Sequence, residues 1–311
     1  MDSIYIDADV DDRTRRQSLF DGDLFVYSAR PSVVALCEFA RELIEEAFGS
    51  LDPREAQRDL PAKEFVAILA RLKPKFVHHS RSKELLQRLF EEFGCDLTKT
   101  YFDVPRLKSV APAGEQNSGL TYGIHPHRDT WYSAPFCQVN WWLPVYPIGM
   151  TSALAFHPRY WTEPVRNGSS EFNHYRWNKY ARKSAADNFE DYLQNQPRPN
   201  QTIELEPQLR PIPPVGGVIV FSGAQLHSAV PNRSGKTRFS IDFRTVHLDD
   251  VAVKLGAPNV DSAATGTSLR DFMRGSDLSH IPNDLIALHD DESVQDGELI
   301  FQPANLDKLT P

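Results

Sequence analysis

The chain has 311 residues, 41% hydrophobic and 24% charged, which leaves enough apolar material for a sizeable core and excludes disorder throughout. A formal net charge of −8 argues against nucleic acid as a partner, because phosphate binding needs surplus Lys and Arg. The acidic start MDSIYIDADVDDR, the lack of any membrane-length apolar stretch and three cysteines without CxxC spacing (Cys37, Cys95, Cys137) exclude a leader, a span and a disulfide framework, and predict a cytoplasmic protein.

Val33, Leu36, Ala40, Leu43 and Ala47 recur at three- and four-residue steps and predict an amphipathic helix over 31–49 that stops at Gly49. Shorter helices are expected over 62–72 and 82–93, the second ending at Gly94, so 1–100 reads as a mainly helical support. From Tyr101 the chain changes to short runs of β-branched and aromatic residues separated by Pro, Gly and Asn. Strands are expected over 101–110, 121–129, 136–146, 151–157, 202–206, 216–222, 227–231 and 237–247. Together these predict a single domain over 1–311, mainly β with a helical N-terminal part, whose 101–248 core is a barrel or jelly roll packed by α-helices. A polar, aromatic-rich insertion, 159–201, contains Tyr160, Trp161, Tyr175, Trp177 and Tyr180 and reads equally as a lid or as a surface excursion. The tail, 249–311, offers one short helix candidate over 268–273.

The chemistry begins at His125-Pro126-His127-Arg128-Asp129. On an extended strand, positions i and i+2 face the same side, so His127 and Asp129 can converge on one metal ion. A third ligand is available in His227, within Gln225-Leu226-His227-Ser228. Two imidazoles and one carboxylate suit Fe(II) and leave coordination positions open. A lone His-x-Asp is more often a hydrogen-bonded pair, so the downstream residues matter. Eleven positions after His227 comes Arg238, opening a run in which Arg238, Ser240, Asp242 and Arg244 alternate with Phe239, Ile241 and Phe243. A polar face on such a strand fits a cavity wall, and Arg238 with Ser240 could grip a carboxylate.

The order His127-x-Asp129, His227, Arg238-x-Ser240 resembles the Fe(II)- and 2-oxoglutarate-dependent oxygenases, most closely the phytanoyl-CoA dioxygenase-like branch, over 101–248. The resemblance implies a double-stranded β-helix with iron on His127, Asp129 and His227. It also implies 2-oxoglutarate and O2 as co-substrates, and Arg238 and Ser240 on the far carboxylate of the keto acid. The implied reaction hydroxylates, desaturates or cyclises a small molecule and releases succinate and CO2. Asp129 disfavours the related halogenases, which generally carry a small residue there.

Gln138, Asn140 and Trp142 alternate on the strand that follows. Gln138 and Asn140 are candidates for the co-substrate, or equally for structural hydrogen bonds, while Trp142, Arg244 and Tyr122 are candidates for substrate. Cys137, Val139, Trp141 and Leu143 are expected on the opposite, helix-packed side. His125 reads as a supporting residue rather than a fourth ligand. The basic surplus of the insertion, including Arg159, Arg166 and Arg176, suggests an anionic small-molecule substrate. A cupin-type dioxygenase that does not use 2-oxoglutarate, and a non-catalytic β-barrel that binds a small acid, stay open as alternatives. Nothing in the sequence speaks to oligomeric state.

Overall fold

The computed structural model describes residues 3–112, 125–181 and 196–290, without the side chains of residues 180 and 181. It opens with elements too short for periodicity to announce. Strand β1 (Ile4–Ile6) leads to helix α1 (Asp12–Phe20), whose first turn is capped by the Asp11 carboxylate on the Thr14 amide, and then to β2 (Leu24–Tyr27). Helix α2 (Pro31–Phe48) starts on a proline, which is preorganised for a first turn, and stops before Gly49 at φ 62°. Its buried stripe includes Val33, Leu36, Ala40 and Leu43 and ends on Ile44 and Phe48, whereas Ala47 is exposed.

Helix α3 (Ala62–His78) runs past the expected end at residue 72 and through Pro74. Leu72 and Phe76 on either side of the proline are both buried, and that burial outweighs one missing backbone hydrogen bond. Helix α4 (Ser80–Glu92) is capped by the His79 ring on the Arg81 amide.

The expected strand over 101–110 divides at Pro105, which has no amide to donate, into β3 (Thr100–Phe102) and β4 (Arg106–Val110). Shorter versions of five further expected strands follow: β5 (Val139–Pro144), β6 (Leu154–Phe156), β7 (Val218–Ser222), β8 (His227–Ala229) and β9 (Arg238–His247). Residues 202–206 form no strand. Of the strand expected over 121–129, residues 121–124 lie outside the described residues, and the remainder makes a single bridge at His127. A 3-10 turn (Ser268–Asp271) and strand β10 (Met273–Arg274) replace the helix expected over 268–273.

The larger sheet runs β1-β2-β7-β5-β9-β3-β10, with β4 also paired to β9, and is antiparallel except between β1 and β2. It does not close on itself. A second, two-stranded sheet pairs β6 with β8. The architecture is therefore a mixture of helix and mostly antiparallel sheet rather than mainly β.

Alternation along the central strands places the core on one side. Phe239, Ile241 and Phe243 of β9 are fully buried, and Trp141 of β5 stacks on Phe243 at 5.8 Å while meeting the edges of Phe90 and Phe93 of the α4 region. Cys137, Val139 and Leu143 belong to the same apolar cluster. The other side of these strands carries the polar set.

Candidate metal centre

His127 and His227, a hundred positions apart in sequence, are direct cross-strand partners. Each amide donates to the other's carbonyl at 3.0 Å, and their ring centroids are 4.4 Å apart. Arg128 is extended, and Asp129 then opens a 3-10 turn (Asp129–Tyr132), so the strand geometry expected of His-x-Asp holds for one step only. The Asp129 amide donates to the Gly223 carbonyl at 2.8 Å, and the Gly223 amide donates to Gln138. A Cβ on Gly223 would stand 3.1 Å from the Gln138 amide nitrogen and 3.5 Å from the Asp129 Cβ, so glycine suits this crossing.

The result is one compact group: one ligand atom from each of His127, Asp129 and His227 lies within 4.8 Å of the others. The His127 Nδ1 donates to the His125 carbonyl at 2.9 Å and the His227 Nδ1 to the Gln225 carbonyl at 3.0 Å. Both Nε2 atoms are thereby left with a lone pair, 3.5 Å and 3.9 Å from the Asp129 Oδ1. Burial, reinforced by the neighbouring His127, pushes His227 down to about 3, the neutral form a metal requires.

Asp129 is prepared in the same way. Its Oδ2 accepts from the Gln138 Nε2 and the Asn140 Nδ2, both at 2.9 Å, and from the Arg244 Nε at 3.4 Å, leaving Oδ1 to face the imidazoles. Burial alone would raise this carboxyl, but Arg244 and the two histidines hold it well below the usual carboxylate range. The structure thus places Gln138 and Asn140 on the metal-facing carboxylate. Arg244, considered above for substrate, lies among Asp129, Asp103 and Asp242, whose charges overcome its burial and raise its pKa.

A cavity partly open to solvent runs from the triad along the polar side of β9. Arg238, Ser240, Asp242, Asn140 and Trp142 line it, joined by Lys108 of β4, which stands opposite Ser240 in the ladder. Arg238 is buried over the Trp142 ring at 5.5 Å and donates through Nη1 to the carbonyls of Ser152 and Ala153. Its Nε has no partner among the described residues, and neither does the Ser240 hydroxyl. Burial lowers the Arg238 pKa to about 10, with Asp242 opposing.

His125 is turned from the centre. Its Nε2 bonds the carbonyl of Pro197 at 2.8 Å, which leaves its own carbonyl to orient His127. The Tyr132 hydroxyl donates to the same Pro197 carbonyl, so the returning limb of the insertion is fastened beside a ligand. Rings continue outward from His127 through Tyr132, Phe172 and Trp177. Two basic residues of the insertion are engaged with their own neighbours: Arg159 pairs with Glu163 and Glu204 on the exposed surface, and Arg166 bonds Gln201. Tyr122 and Tyr180, together with residues 182 and 183, fall where no side chain is described. Sequence reasoning overlooked Lys108, Gly223, Arg128 and Asp261. Only Lys108 carried a signal, as a polar residue alternating within an expected strand.

No family model and no curated protein matches the chain. Among solved structures, it is similar to EvdO2 from Micromonospora carbonacea var. aurantiaca complexed with 2-oxoglutarate, at 12% identity and TM-score 0.46 over 77% of this chain and 92% of that one. It is also similar to SnoN, a non-haem α-ketoglutarate-dependent epimerase from nogalamycin biosynthesis, at 11% identity and TM-score 0.38 over 76% of this chain and 84% of that one. A third is AviO1 from Streptomyces viridochromogenes Tue57, at 15% identity and TM-score 0.36 over 81% of this chain and all of that one.

Proposed function

We propose that this protein is a non-haem Fe(II)- and 2-oxoglutarate-dependent oxygenase, with one domain over 1–311 built on a double-stranded β-helix, or jelly roll. One juxtaposition carries the reading: three ligand atoms freed toward one point, in the same cavity as two buried polar atoms without partners among the described residues, the Arg238 Nε and the Ser240 hydroxyl. Such orphaned atoms cost about 1–3 kcal/mol each when nothing pairs them, and a carboxylate supplies the missing acceptor.

Each residue then has a task. His127, Asp129 and His227 hold the metal on one face, in the two-imidazole, one-carboxylate set that leaves positions for a chelating keto acid and O2. Iron, when bound, would activate O2, the oxidant, whose four electrons would come two from the oxidative decarboxylation of 2-oxoglutarate to succinate and CO2 and two from an unactivated C–H bond of a small molecule. Arg238 and Ser240 bind the remote carboxylate, Trp142 floors that end of the cavity, and Lys108 adds a second cation. The cations Lys108, Arg238 and Arg244 outnumber the anions Asp129 and Asp242 by one, and a divalent metal with a doubly charged co-substrate leaves that balance unchanged. Gln138, Asn140 and Arg244 fix the unshared oxygen of Asp129 so that the carboxylate binds through one atom. The product class, hydroxylated, desaturated or cyclised, depends on which C–H bond the substrate presents. All three cysteines are free and buried, consistent with a reducing cytoplasmic setting.

The test is anaerobic titration with Fe(II) and 2-oxoglutarate, monitored by the visible charge-transfer band of the chelate. Wild type should develop the band, His127→Ala should not, and Arg238→Ala should need much more 2-oxoglutarate. Folded, iron-loaded wild type without a band would overturn the reading in favour of a metal dioxygenase that does not use 2-oxoglutarate. Failure to load iron at all would favour a non-catalytic binding protein.

A further inference from the structure

Arg128 stands between two ligands in sequence, so its extended backbone turns its side chain away from the face that His127 and Asp129 share. That opposite face is not solvent. Arg128 is 1% exposed and spends its guanidinium on three separate parts of the chain. Its Nε donates to the Asp261 carboxylate at 3.0 Å, its Nη1 to the Ala224 carbonyl at 2.7 Å, and its Nη2 to the carbonyls of Tyr160 and Glu163. Ala224 follows the Gly223 whose carbonyl receives the Asp129 amide, and lies three residues before His227.

Asp261 belongs to the tail, 133 positions from Arg128. Besides Arg128 it accepts from the Trp131 Nε1 at 2.6 Å and the Val165 amide at 2.9 Å. The next residue, Ser262, donates its hydroxyl to the Thr130 carbonyl at 2.6 Å. The tail therefore grips positions 128, 130 and 131, on both sides of Asp129.

A buried ion pair is weak evidence for stability, because well-packed apolar residues of similar volume serve as well or better. What it supplies is direction: fixed hydrogen bonds at set angles between the loop that carries two ligands and the turn that leads to the third. We propose that the Arg128–Asp261 pair is a positioning device that sets the spacing of His127, Asp129 and His227, and that this is the work of the tail. The inference rests on the metal-centre reading given above.

The experiment compares Co(II) affinity and the Co(II) d–d spectrum, under anaerobic conditions, in full-length wild type and variants. Arg128→Met with Asp261→Leu removes both charges together but also takes the acceptor from the Trp131 indole and the Val165 amide, so the unfolding midpoint of this double variant should fall below that of wild type. Its Co(II) affinity should fall roughly ten- to hundred-fold, the usual cost of losing support behind metal ligands, with an altered spectrum. Asp261→Asn keeps one carbonyl acceptor, which can serve either the Arg128 and Val165 side or the Trp131 side, and should lose less affinity than the double variant. If the double variant does not fold, Asp261→Asn carries the test, and wild-type affinity and spectrum in it would overturn the proposal. So would wild-type affinity in a folded double variant. Arg270→Met with Asp290→Leu dismantles another ion pair of the tail, and an equal loss there would show a general effect of stability instead. Wild type that binds no Co(II) defeats the metal-centre reading before any variant is compared.

Discussion

The two faces of β5 and β9 are drawn from alternate residues of the same strands, yet they are finished differently. On the helix side, Phe239, Ile241, Phe243 and Trp141 are all buried, and the Trp141 indole N–H donates to the Thr245 hydroxyl at 2.9 Å. On the cavity side, Arg238, Ser240 and Asp242 each keep a buried polar atom with no hydrogen-bond partner among the described residues. Native interiors rarely leave such atoms unpaired, and three in one cavity accord with the ligand face of the proposed function. One face holds the fold together; on the proposed function the other binds ligands, at a cost to stability.

Substitutions on the two faces should therefore fail in different assays. The largest effect is expected of His227→Ala, which removes one of three ligands: Fe(II) and Co(II) binding and 2-oxoglutarate turnover should be lost while circular dichroism stays native. Unfolding of this variant would assign His227 to the structural side. Trp141→Ala should do the reverse, costing about 3–5 kcal/mol in urea unfolding while the folded fraction binds Co(II) as wild type does. A weakened Co(II) site in Trp141→Ala would mean that the two faces are coupled.

Arg238 sharpens the contrast, because it is charged, buried and incompletely bonded. Arg238→Met should weaken 2-oxoglutarate binding by about 2–5 kcal/mol, the range for removing one partner of a buried charge-assisted pair. The metal-free, co-substrate-free variant should be at least as stable as wild type, since an apolar side chain replaces an imperfectly paired cation. Calorimetric titration and thermal unfolding of the same sample measure both halves. Lower stability of the variant would move Arg238 to the structural face.

Acid should expose the ligand face in the metal-free protein. Folding holds His227 at about 3 against about 6.5 when unfolded, so the unfolded chain binds more protons over that interval and stability falls as pH drops below about 6.5. By about pH 5 the loss should reach about 2 kcal/mol from this ring alone. In His227→Ala the unfolding free energy should depend less steeply on pH between about 6.5 and 5, and an unchanged slope would sink this assignment.

The features legible in the sequence were those encoded by alternation. The polar and apolar sets of β9 could be assigned to opposite faces from residues 238–244 alone, because strand geometry makes alternation equivalent to facing. Depth along the strand was not legible. Gln138, just before β5, and Asn140 within it point to the cavity side as expected, but the register that sets Asn140 beside Arg244 brings both to Asp129. Arg244 was read as free for substrate because sequence does not reveal that Asp103 and Asp242 converge on it. Asp261 was invisible for the same reason at longer range: it sits in a tail without period, and only the folded chain brings it to Arg128. β1 and β2 are too short for an alternating pattern to stand out, and α3 continues through a proline that local rules treat as a stop.

The smallest effect is expected where sequence suggested a large one. A basic surplus in the insertion implied a surface for an anionic substrate, with Arg159 and Arg166 among its members. In the folded chain Arg159 is committed to Glu163 and Glu204 on an exposed surface, and Arg166 to Gln201, whereas the described part of the insertion meets the residues around His127 through the Pro197 carbonyl and the Phe172 ring. Exposed ion pairs contribute little, and charges engaged with their own neighbours offer little to a ligand. Arg159→Gln combined with Arg166→Gln should leave kcat/KM within about twofold of wild type once a substrate is in hand. Replacing Tyr132 with Ala, which loosens the fastening at Pro197 and removes a ring from against His127, should change it more. The opposite ranking would restore the basic surface as the element that selects substrate.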